Sequence, residues 1–141
     1  MSVEFENDLY KIYWYDEKQS ILIVEIYRRW TWQDAHEIVA LGNDILARVT
    51  HEKYLICHFS DEASRLPSDH RQAMTSIRRL IQIDPGEEEF CVFVGSFKVL
   101  KRLITVTGEI YSLLKVTQKY HFAEDMSSAF ARINQHKARR F

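Results

Sequence analysis

Apolar residues fall along the chain in two rhythms, and the switches between them mark the elements. Leu9 to Tyr15 is dense in aromatic and β-branched residues, Asp16-Glu17-Lys18-Gln19 interrupts it, and Ser20 to Arg28 resumes with Ile21-Leu22-Ile23-Val24. Two strand-type runs around a short polar break predict a β-hairpin. Thr31 followed by Asp34 has the form of a capping box with the shorter acid, and Ala35, Ile38, Gly42, Ile45, Leu46 and Val49 then recur at helical spacing. The first helix is predicted from about Trp32 to Val49.

Tyr54-Leu55-Ile56-Cys57-His58-Phe59 is a nearly continuous apolar run, which suits a strand covered on both faces. A polar loop, Ser60 to Pro67, follows. Ser68 is placed to cap a second helix whose apolar face is Ala73, Met74, Ile77, Leu80 and Ile81, and Asp84-Pro85-Gly86 ends it. Phe90 to Val94 repeats the strand pattern. Gly95-Ser96 then supplies a turn before a long helical pattern, Val99 to Leu114, interrupted by Gly108 at a cost of about 1 kcal/mol relative to Ala. A short strand near Lys119 to Phe122 comes next. Asp125 or Ser127 can cap the last helix, whose buried stripe is Ala129, Phe130 and Ile133, before the basic tail Lys137-Ala138-Arg139-Arg140.

The element order is therefore β-β-α-β-α-β-α-β-α, with short connections and no internal repeat. Strands separated by helices run parallel through right-handed crossovers, and the first hairpin adds one antiparallel strand. The expected fold is α/β, a mixed and mostly parallel sheet with packed helices. The 141 residues fit a single domain able to bury a core unaided.

Composition narrows the function classes more than it names one. The formal net charge of −1 gives no global field toward nucleic acid or an anionic membrane. Cys57 and Cys91 both sit inside apolar runs, so they read as small buried hydrophobes rather than a disulfide framework. Met1 to Tyr10 lacks the basic and apolar regions of a secretory signal, and no run approaches the ~18 apolar residues of a membrane span. The expected compartment is the cytoplasm.

Candidate chemistry is sparse. Neither GxGxxG nor GxxxxGK[ST] occurs, which excludes nucleotide binding by those loops. CxxC, HxxxH and HExxH are absent too, and His36, His51, His58, His70, His121 and His136 are scattered over different elements, so no metal is expected. Glu87-Glu88-Glu89 beside Pro85-Gly86 reads as a solvated turn. Cys57 and Ser68 have no base or oxyanion donor at a telling spacing, so no catalytic residue and no cofactor is assigned. Lys98, Lys101 and Arg102 share one helix face, which reads as solvated. Trp30 and Trp32 bracket the start of the first helix and read as core.

With that element order, the chain resembles the STAS-domain family, the anti-sigma-factor antagonists and their relatives. The matches are Val94-Gly95-Ser96 followed by Val99 and Leu103, Thr107-Gly108, and Phe122-Ala123-Glu124-Asp125 leading to Ala129-Phe130. Antagonists of this family carry an Asp-Leu-Ser-like loop and then Asp-Ser-Ser-Gly-Leu, where a serine is phosphorylated by a partner kinase. The corresponding stretches are His58-Phe59-Ser60-Asp61 and Leu66-Pro67-Ser68-Asp69-His70, without the preceding acid, the second serine or the glycine.

The resemblance implies a non-enzymatic regulatory module that docks a partner protein through Ser60, Asp61, Ser68, Asp69 and His70, without the phosphoserine switch. The expected partner is an anti-sigma or kinase-like regulator, or a second copy in a homodimer; nucleic acid and membrane are not expected. The competing expectation is a module that binds a small apolar or lipid-like ligand, with Met74, Phe97 and Tyr111 lining its pocket.

Overall fold

The computed structural model describes residues 2–67, 70–83, 88–96, 105–106 and 120–139, of which 70 and 81–83 are described by backbone alone. In these residues β1 (Ser2–Glu6), β2 (Tyr10–Trp14), β3 (Ile21–Ile26), β4 (Tyr54–Phe59), β5 (Cys91–Val94) and β6 (Tyr120–Ala123) form one sheet in chain order. The helices are α1 (Trp32–Leu46), α2 (His70–Ile83) and α3 (Met126–Arg139). The helix predicted over Val99 to Leu114 lies outside the described residues, apart from Thr105 and Val106, which are helical.

The first three strands pair antiparallel and the last four pair parallel, so the sheet is mixed. β1 corrects the expectation of a single antiparallel hairpin. Val3 and Phe5 alternate with Glu4 and Glu6, a period-2 pattern, and Phe5 stacks on Tyr10 with ring centroids 5.2 Å apart. Val3 remains 51% exposed, because β1 is an edge strand with one neighbour.

The hairpin turn is held by one carboxylate. Asp16 accepts from the backbone N–H groups of Ser20 and Ile21 at 2.9 and 3.2 Å and from the Ser20 hydroxyl. Burial pushes the Asp16 carboxyl up, and these hydrogen bonds outweigh it and hold it below its ordinary value. Gln19 sits in the left-handed region, with φ 54°, to close the turn.

Alternation along the central strands sorts side chains onto two faces. Ile12, Trp14, Leu22, Val24 and Phe59 pack with α1 and α2 on one face. Ile23, Tyr54, Ile56, Val92 and Val94 pack with Ala129 and Ile133 of α3 on the other. Among the described residues, α1, α2 and the helical Val106 thus cover one face, and α3 covers its back. Two of the helix starts that the sequence marked are capped, while the cap expected at Ser68 lies outside the described residues: Thr31 and Asp34 form the reciprocal capping box on α1, and Asp125 accepts from the Ser128 N–H at 2.7 Å. α1 ends at Leu46 rather than Val49. The buried Lys53 donates its ammonium to the Val49 carbonyl beyond that end.

Candidate functional site

Leu55 and Cys57 were expected to be covered like Val92 and Val94, yet they are only half-buried. The cause is a cavity of about 150 Å³ between the sheet and α1 and α2. Its walls are side chains of β3, β4, β5 and β6 facing Trp30, Trp32, Ile38, Gly42 and Ile77. Gly42 enlarges it from the helix side, since a Cβ built there would meet nothing within 4 Å.

Trp30 is fixed at the mouth of α1. Its indole N–H donates to the Ala63 carbonyl at 2.9 Å, and Trp32 meets it edge-on at 5.2 Å. Polar residues on the wall, besides the two tryptophans, are few: Asn43, Glu88, Tyr120 and the thiols of Cys57 and Cys91. The Asn43 amide Nδ2 is buried with no hydrogen-bond partner. An apolar volume of this order is large enough for a benzene-sized molecule. Glu88 corrects the reading of Glu87 to Glu89 as a solvated turn, because it is 6% exposed. The adjoining backbone is drawn against β4 by the Glu89 N–H, which donates to the Lys53 carbonyl at 2.8 Å.

Of the five residues assigned to partner docking, Ser68 and Asp69 lie outside the described residues and the His70 side chain is likewise not described. Ser60 is a stitching residue. Its N–H donates to the Ile26 carbonyl at 3.0 Å, its hydroxyl donates to the Tyr27 carbonyl at 2.6 Å, and its carbonyl accepts from the Ser64 hydroxyl at 2.7 Å. Asp61 is exposed and lines a cleft with Arg28, Arg29, Glu62 and Arg65. That cleft sits where β3 and β4 end, the edge of a parallel sheet at which ligands are commonly held. Met74 packs against the cavity-side core, whereas Phe97 and Tyr111 lie outside the described residues.

A second grouping lies on the α3 face. His136 approaches Phe90 edge-on at 5.0 Å and Tyr54 at 5.7 Å, and His121 meets the same Phe90 ring at 4.6 Å. Arg132 donates to His121 Nδ1 at 3.1 Å. Burial, then the charges of Arg132 and His136, hold His121 below the ordinary imidazole value. Sequence spacing could not signal this grouping, since its members come from separate elements.

Among the described residues no helix is long and apolar enough to cross a membrane. No family model, no curated protein and no solved structure matches the chain.

Proposed function

We propose that the protein is a non-enzymatic, STAS-like module that takes a small apolar ligand between its sheet and its first two helices. The cavity beside Trp30 and Trp32 carries this reading, because it is lined almost wholly by apolar side chains and bordered by the Asn43 amide, whose Nδ2 is buried without a hydrogen-bond partner. The ligand is of the size of a substituted benzene such as toluene. Occupancy would stabilise the fold by mass action.

The test is native mass spectrometry of freshly purified protein, followed by titration with toluene while Trp fluorescence and Tm are read. A co-purifying small molecule, or a saturable fluorescence change with a rise in Tm, is the expected result, and Gly42→Leu removes it by filling the cavity. No co-purifying species and no toluene response would overturn the reading.

The cleft of Arg28, Arg29, Asp61, Glu62 and Arg65 favours a second reading, regulatory docking of a partner protein at the ends of β3 and β4. Mixed charges at such a rim serve orientation and specificity. An affinity-purified partner that is lost with Arg29→Glu and kept with Gly42→Leu would support this reading over the first.

A further inference from the structure

We propose that Glu52, Glu89 and His136 form a binding site for one divalent first-row transition ion, with zinc the best-suited member of that class. The site lies across the sheet from the apolar cavity and does not depend on it. Each residue comes from a different element: Glu52 from the approach to β4, Glu89 from the approach to β5, and His136 from the last turn of α3. One donor atom from each lies within 4.8 Å of the others.

Four features make this more than a meeting of acids. The His136 ring is set edge-on against Phe90 and Tyr54, so its direction is fixed by packing. Its Nε2 is buried with no hydrogen-bond partner, which leaves a donor nitrogen in a place where water does not satisfy it. The Tyr54 hydroxyl donates to Glu52, the kind of outer contact that orients a ligating carboxylate. The backbone around Glu89 is held by its hydrogen bond to the Lys53 carbonyl.

Ligand chemistry selects the ion. One imidazole with two carboxylates suits zinc and its neighbours, whereas magnesium and calcium prefer oxygen alone. Bonds of about 2.1 Å in a tetrahedral arrangement place ligand atoms about 3.4 Å apart. Rotation of the exposed Glu89 side chain can close the remaining gap. Three protein ligands leave a fourth position for water. The competing occupant is the ammonium of Lys137, which lies 5.5 Å from the centre of the Tyr54 ring.

The experiment is titration of the full-length chain with Zn²⁺ against a chelating dye at neutral pH, repeated with Mg²⁺. One equivalent of Zn²⁺ should bind, with Mg²⁺ far weaker. Glu89→Gln should weaken Zn²⁺ binding about tenfold or more and His136→Gln further, while His36→Gln and Lys137→Met leave it intact. Absence of stoichiometric binding would overturn the proposal, as would Glu89→Gln and His136→Gln binding like the parent. If His136→Gln fails to fold by circular dichroism, the exposed Glu89→Gln decides alone.

Discussion

The Sγ atoms of Cys57 and Cys91 lie 3.9 Å apart across the parallel strands β4 and β5. Leu55 pairs with Cys91 and Cys57 with Phe93, so the thiols meet diagonally, two residues out of register, on the wall of the apolar cavity. A disulfide needs an S–S distance of about 2.05 Å and Cβ atoms about 3.8 Å apart, a geometry that favours directly facing residues. Neither cysteine is in a disulfide, and Cys57 is half-buried while Cys91 is buried. Unfolded, unreduced protein should therefore titrate two thiols per chain. In the native protein Cys57 should alkylate before Cys91, and toluene should slow it. One thiol or none in the unfolded sample would contradict this arrangement.

Gly42 lies inside α1 with open space where a Cβ would stand. Glycine in a helix interior is destabilising by roughly 0.5–1 kcal/mol relative to alanine, and here no clash opposes the exchange. Gly42→Ala should raise stability by about that amount in urea unfolding. A loss would show that the cavity wall closes on the added methyl.

The capping box at Thr31 satisfies two otherwise orphaned N–H groups: Thr31 Oγ1 accepts from the Asp34 N–H at 3.1 Å, and Asp34 accepts from the Thr31 N–H at 2.8 Å. Thr31→Ala should cost about 0.5–2 kcal/mol, and Thr31→Asp, itself a good cap, much less. Equal losses in the two variants would show that the hydroxyl acts through something other than the cap.

His121 titrates below its unfolded value of about 6.5, because burial and then the charges of Arg132 and His136 oppose its protonation. Its Nδ1 accepts from Arg132, which only the neutral ring can do. As pH falls, the unfolded chain takes up this proton first. The stability is fully present above the unfolded value and declines as pH drops from there toward the lower folded value. Tm measured from pH 8 to pH 5 should fall less steeply in His121→Gln than in the parent. Parallel curves would remove His121 from the account.

The hairpin, the strand over Tyr54 to Phe59, the capped start of α1 and the Ala129–Ile133 stripe of α3 were all legible in the sequence. Each is written by neighbours within a few residues: a turn, a period, a cap. β1 was missed. Its alternation Val3-Glu4-Phe5-Glu6 is strand-like, but it is too short and too acidic to stand out without β2 beside it. Among the site residues, Ser60 was assigned to docking through the family resemblance, and its hydrogen bonds were not legible in the sequence: its hydroxyl donates to the Tyr27 carbonyl 33 residues away, and its carbonyl accepts from the Ser64 hydroxyl 4 residues on.

What the sequence determined by itself was the class of structure: strands and helices in order, a mixed sheet, and the absence of familiar phosphate-loop and metal-spacing motifs. Those features depend on periodicity and local hydrogen bonding, whose range is about one helical turn or one hairpin. The cavity and the Glu52, Glu89 and His136 grouping were decided by tertiary structure alone. A cavity is a shortfall of volume between facing surfaces: Gly42 on α1, Leu55 and Cys57 on β4 and Phe93 on β5 are each ordinary until the sheet sets them opposite one another. The grouping likewise arises because β4 and β5 start at one edge of the sheet and α3, packed across its back, ends there. Sequence separation hides such a meeting, since nothing local constrains Glu52, Glu89 and His136 to face one point; only the packing of Ala129 and Ile133 against the sheet brings the third to the other two.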